Sequence, residues 1–124
     1  MPVELVPITP GDNKNFPKAG QIVTIHYVGT LDPKTTDKHG KIVDETGRLI
    51  DSSREREEPF EFILGAGMVI HGVDQGLLKM SLGQKAKLII PPELGFGFTG
   101  IKHFIPGGST VFFEVELLKI KNDW

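Results

Sequence analysis

The stretch ELGFGFTG, residues 93–100, sets Gly95, Gly97 and Gly100 at the G-x-G-x-x-G spacing with which dinucleotide-binding loops bring backbone against a pyrophosphate. That chemistry needs a strand before the glycines and a helix N-terminus after them, because the free amides of the first helical turn hold the phosphate. A strand-forming run precedes, but IKHFIPGGSTVFF follows, where Pro106, Gly107 and Gly108 stop a helix and a strand resumes. LGAGMVIHG (64–72) fails as well, with Ile70 where the third glycine would stand. Both stretches read as turns whose glycines permit positive φ, and no nucleotide cofactor is expected. The four histidines, His26, His39, His71 and His103, form no i, i+4 pair and have no second ligand close in sequence, so no metal site is expected. Ser52, Ser53, Ser81 and Ser109 lie outside any G-x-S-x-G elbow, which leaves a hydrolase triad unsupported. The run REREE (54–58) reads as a solvated face.

Elements must position whatever chemistry remains, and composition limits them. A chain of 124 residues, 39% hydrophobic, is one domain (1–124) with a single core. Its 14 basic and 16 acidic residues are intermingled, giving a net charge of -2 and no sign of a nucleic-acid or anionic-membrane partner. Without cysteine there is no disulfide framework and no thiolate metal site. No window approaches the roughly 18 apolar residues of a spanning helix, and MPVELVPITPGD has no leader pattern. The expectation is a cytoplasmic protein, and the absence of heptads and repeats makes a monomer the simplest reading.

Short apolar runs separated by Gly and Pro predict an antiparallel sheet. VELVPI (3–8) is an edge-strand candidate, since Pro7 cannot donate to a ladder, and QIVTIHYVGTL (21–31) is β-branched and aromatic almost throughout. PFEFIL (59–64) and AKLII (86–90) alternate as half-buried strands do. In TVFFEVELLKI (110–120), Val111, Phe113, Val115 and Leu117 face inward and Glu114 and Glu116 outward, with Phe112 the exception. One stretch has a helical period: VIHGVDQGLLKM (69–80) repeats Val69, Ile70, Val73, Leu77 and Met80, with Gly83 a stop. Gly72 and Gly76 each cost such a helix about 0.5–1 kcal/mol relative to Ala, so packing must hold it. The expected fold class is α+β, with five or six strands and the helix against one sheet face. The polar excursion DPKTTDKHGKIVDETGR (32–48) reads as a surface loop or small hairpin in which KIV faces RLI, or else as a partner surface.

Four segments in order, IHYVGTL (25–31), IDSSREREEPFEFILG (50–65), VIHGVDQGLLKMSLGQKAKLIIPPELGFG (69–97) and IPGGSTVFFEVELLKI (105–120), resemble the FKBP family of peptidyl-prolyl cis/trans isomerases. The resemblance runs over nearly the whole chain, broken by the 32–48 insertion. It implies a twisted antiparallel sheet wrapped around the short helix, a pocket between them for proline-containing peptides or proteins, and binding of macrolides such as FK-506 and rapamycin. It also fits what the residues lack, because turning an X-Pro bond needs no nucleophile, metal or cofactor.

Carried onto this chain, the resemblance implies a pocket lined by Tyr27, Phe60, Val69, Ile70, Ile105 and Phe113, with the Ile70 amide as a donor to the ligand. Asp51 would be its buried polar member, bonded to the ligand or to Tyr27, with Arg56 as its charge partner and Met68 at the rim. From periodicity alone the apolar members read as ordinary core, and Asp51, between Ile50 and a Ser-Ser pair, as a turn residue. Three positions depart from the commoner pattern: Val73 stands where a tryptophan usually forms the pocket floor, Phe96 where a tyrosine supplies a hydroxyl, and Ile50 where an aromatic wall is common. A deeper, less aromatic pocket, weaker macrolide binding and reduced activity are expected. The alternative is a proline-binding or chaperone-like module using the insertion or the loop FTGIKHFIPGGS (98–109) as its contact surface.

Overall fold

The computed structural model describes residues 3–31 and 49–122, so the 32–48 excursion lies outside the described residues. The β-branched run after Gln21 forms β2 (Ile22–Leu31), and the clearest period of two forms β6 (Val111–Lys121). Around them, among the described residues, lie β1 (Glu4–Thr9), β3 (Leu49–Ser52), β4 (Phe60–Ile63) and β5 (Lys85–Ile90), with one helix, α1 (His71–Leu77). The six strands make one antiparallel sheet in the order β1-β5-β6-β2-β3, with β4 also paired to β2. This is the expected α+β class.

β2 organises the site. Along one side it pairs with β6 from Ile22↔Lys121 to Leu31↔Val111. Along the other it meets β4 over Ile22–Ile25 and β3 over Val28–Thr30. Between those two pairings lies Tyr27, whose backbone is met by Ser53: Ser53 N–H donates to the Tyr27 carbonyl at 3.0 Å, and Tyr27 N–H donates to Ser53 Oγ at 2.8 Å. Pro7 falls on the edge strand, as its missing N–H requires, and the β1–β5 register shifts between Pro7 and Thr9.

Two expectations change. β3 runs through Asp51 and Ser52, residues read as turn, because four residues are too few to display a period of two, and the turn begins only after Ser52. The helix is shorter than 69–80. Ile70 is extended (φ -59, ψ 149), and at the far end Lys79 and Met80 N–H reach the Gly76 and Leu77 carbonyls at 3.0 and 3.1 Å, a tighter i+3 turn that ends α geometry. Val73, Leu77 and Met80 are buried against sheet residues that include Val23, Leu88, Ile90 and Val115. The two helix glycines stand where α1 lies closest to β5. A Cβ on Gly76 would stand 2.6 Å from Leu88 Cδ1, and one on Gly72 would run into Ile90.

The G-x-G-x-x-G stretch follows β5 through a single 3₁₀ turn, Pro92–Leu94, and no helix follows it among the described residues. Gly97 N–H donates to the Pro92 carbonyl at 2.8 Å and Gly100 N–H to the Phe96 carbonyl at 3.2 Å, so these amides are turned inward. Gly97 and Gly100 have positive φ (74 and 69), whereas Gly95, expected to share it, has φ -116.

Candidate active site

Inward side chains from β2, β3, β4 and β6, the segment before α1 and the loop after β5 surround a cavity of about 880 Å³. Its deepest members are the least exposed: Ile25, Ile105, Val73 and Phe113, at 1, 2, 3 and 7%. Tyr27 stands beside Phe113 with ring centroids 6.0 Å apart, and meets Phe60 edge-on at 6.1 Å. The Phe113 ring lies over Gly29, its register partner, where any Cβ would strike the ring. Val69 and Ile70 wall the cavity from the helix side and Phe96 from the loop after β5, while Met68, Ile101 and Phe104 stand at the mouth, 53, 44 and 41% exposed.

Polar groups gather along one edge. The Tyr27 hydroxyl donates to Asp51 Oδ2 at 2.6 Å, Arg56 Nη1 donates to Asp51 Oδ1 at 2.6 Å, and Arg56 Nη2 donates to the Tyr27 oxygen at 2.9 Å. The Arg56 guanidinium also lies 5.7 Å from the centre of the Tyr27 ring. Burial opposes ionisation of Asp51, but hydrogen bonds from Tyr27, Arg56 and the Ser52 amide outweigh it and hold the carboxyl below its ordinary value. Burial, reinforced by the bond to Asp51, pushes the Tyr27 phenol up. Asp51 was expected to be buried; its side chain is 49% exposed, because β3 lies at the border of the sheet. Nor is REREE simply solvated, since Arg54 also pairs with Glu116. Among the described residues the Ile70 N–H has no hydrogen-bond partner.

All twelve residues singled out by the resemblance, including Ile50 and Met68, line this one cavity. Four further lining residues escaped the sequence reading: Ile25, Gly67, Ile101 and Phe104. Ile25 could have been found from the period of two, since it shares a strand face with Tyr27. Ile101 and Phe104 sit in a Gly- and Pro-containing loop whose pairing, Ile101 with Ile105, gives no pattern to read.

The chain matches the FKBP-type peptidyl-prolyl cis-trans isomerase family over residues 13–118. The chain belongs to this family. It is 46% identical over 121 residues to peptidyl-prolyl cis-trans isomerase Fkbp12 of Drosophila melanogaster, covering 98% of this chain and 100% of that protein. It is 48% identical over 120 residues to FK506-binding protein 1 of Rhizopus delemar (97% and 99% covered), and 42% identical over 121 residues to peptidyl-prolyl cis-trans isomerase FKBP1A of Xenopus laevis (98% and 100%). This FKBP-type protein is therefore a peptidyl-prolyl cis/trans isomerase acting on proline-containing peptides. Its reaction breaks no covalent bond. The obstacle is amide resonance, a barrier of about 18–20 kcal/mol, and an acceleration of about 10⁴ asks for only ~5.4 kcal/mol of preferential stabilisation of the twisted amide. Among the described residues no helix is long and apolar enough to cross a membrane.

Proposed function

We propose that the cavity is where this isomerase turns the X-Pro bond. The observation that carries the reading is its composition: an aromatic and aliphatic chamber with its polar groups confined to the Tyr27–Asp51–Arg56 edge and the unpartnered Ile70 amide. The proline ring lies on Val73, Ile105 and Phe113, and the Ile70 N–H holds a flanking carbonyl. A twisted amide is less polar than a planar one, so water-poor walls favour it over the ground state, while the fixed donors hold the peptide in the reactive geometry. The carboxylate of Asp51 is occupied by Tyr27 and Arg56, which keeps the phenol oriented along the wall.

The same chamber accepts a macrolide, with reduced affinity; the name of the Rhizopus delemar relative states FK506 binding. Val73 leaves the floor lower than a tryptophan would, and Phe96 brings no hydroxyl. One lost ligand hydrogen bond, about 0.5–1.5 kcal/mol, and one lost aromatic contact of similar size lower affinity roughly tenfold to a hundredfold. The same losses favour a second reading, a proline-binding module with little turnover.

Two measurements test this. NMR exchange of short X-Pro peptides should show faster cis/trans interconversion with the protein present; no acceleration over a range of residues before proline moves the reading to the binding module. Calorimetric titration of Val73→Trp should show tighter macrolide binding than the parent chain. An unchanged affinity would remove the floor as the explanation.

A further inference from the structure

A second groove, of about 520 Å³, opens between the loop that precedes β2, the turn that precedes β5 and the end of β6. Its lining is mixed, with an apolar part made by half-buried Leu82 and Ile120 and by Phe16, which is 44% exposed. Among the described residues its charges are all of one sign, from Lys14, Lys18 and Lys121, and no acidic residue lines it. Among the described residues neither Lys14 nor Lys18 forms an ion pair, and Lys121 meets Glu61 only loosely, at 3.6 Å with both side chains more than half exposed. The one carboxylate in the neighbouring loop is held by other bonds: Asp12 accepts the Lys14 and Asn15 N–H groups at 2.9 Å each and Asn15 Nδ2 at 2.6 Å.

The walls are built rather than loose. Asp12 N–H donates to the Leu82 carbonyl and Leu82 N–H to the Asn15 carbonyl, both at 2.9 Å, which stitches the loop to the turn. Lys18 N–H donates to Gln21 Oε1, and Gln21 Nε2 to Asn122 Oδ1, both at 2.8 Å, which ties it to the end of β6. Apolar side chains between fixed walls, beside lysines without strong partners, fit a ligand that carries anionic groups and an apolar side chain along one segment.

We propose that this groove binds an acidic, extended peptide segment of a partner protein, its carboxylates on Lys14, Lys18 and Lys121 and an aliphatic or aromatic side chain on Phe16, Leu82 and Ile120. A flat anionic bilayer fits less well, because the lysines line a groove between a loop, a turn and a strand end rather than one flat face. A nucleic-acid strand fits less well because, among the described residues, Phe16 is the sole aromatic side chain lining the groove and offers no run of stacking platforms. The groove and the isomerase cavity share no lining residue, so the groove is distinct, and a proline-free ligand probes it alone.

The test uses the full chain and a fluorescein-labelled, proline-free peptide of alternating Glu and Leu, followed by anisotropy at low salt and by amide shifts in NMR. Saturable binding with shifts centred on Asn15, Gln21 and Asn122 is expected. Lys14→Gln/Lys18→Gln should weaken it roughly tenfold, with X-Pro turnover unchanged, and added salt should weaken it further. A Lys/Leu peptide should not bind. Equal affinity in the double variant, absence of saturation, or shifts centred on Tyr27 and Phe113 would overturn the proposal. So would lysine-dependent binding of phosphatidylserine vesicles or an oligonucleotide without binding of the acidic peptide.

Discussion

Replacing Gly76 by alanine asks how closely α1 is seated on the sheet. By helix propensity alone, Gly76→Ala should stabilise the protein by about 0.5–1 kcal/mol. The structure reverses that sign. A Cβ at this position would lie 2.6 Å from Leu88 Cδ1, 2.7 Å from Cδ2 and 3.1 Å from Cγ. Leu88 has 0% exposure and is enclosed by the core, so its side chain has no room to swing aside. Overpacking of this kind costs about 1–3 kcal/mol, which leaves a net loss of up to about 2.5 kcal/mol after the propensity gain. Urea denaturation followed by circular dichroism should show the midpoint falling by roughly 0.5–1 M. X-Pro turnover should fall too, since α1 carries Val73 into the cavity. Leu88→Ala alone should cost about 2–5 kcal/mol, yet combined with Gly76→Ala the total should fall short of the sum by the overpacking cost, about 1–3 kcal/mol, because the colliding atoms are gone. A raised midpoint in the single variant, or strict additivity in the double, would refute the close-approach argument.

Ser53→Ala removes the acceptor of the Tyr27 N–H and should destabilise by about 1–3 kcal/mol, read as a lower urea midpoint. Asp51 has a folded pKa below its unfolded one, so its contribution is present above the unfolded value near 3.9 and is lost as pH falls through the folded value; the midpoint of the parent chain should drop more steeply below about pH 4 than that of Asp51→Asn. Tyr27 carries the opposite shift, so its contribution is full below an unfolded value of about 10 and is lost as pH rises through the folded one; an alkaline titration of Tyr27→Phe should lack that loss.

The strands that run longest were the most legible, because β2 and β6 alternate over enough residues for their buried faces to show, as Val23, Ile25, Val115 and Leu117 do. β3 was not, since Leu49–Ser52 owes its extension to pairing with β2 rather than to its own pattern. The helix was overextended because Val69 and Ile70 continue its apolar stripe although they serve the cavity wall, and a hydrophobic period cannot separate those roles. Gly72 and Gly76 looked like costs until the neighbouring leucine and isoleucine were seen beneath them. Family resemblance assembled the cavity residues; periodicity alone would have assigned Phe60, Val73 and Phe113 to the core. The exposure of Asp51 and the place of Ile101 and Phe104 depend on long-range pairing that no local pattern reports.

The strand order also bears on how the chain comes off the ribosome. β6, the last strand in chain order, lies between β5 and β2. Without residues 111–121, β1–β5 and β2–β3–β4 would share no strand pairing, and each would leave an open edge where β6 belongs. At about 5–20 residues per second those edges wait for several seconds, during which they are sites for wrong pairing with other nascent chains. This isomerase can begin to work on other chains only after its own synthesis has delivered the strand that carries Phe113.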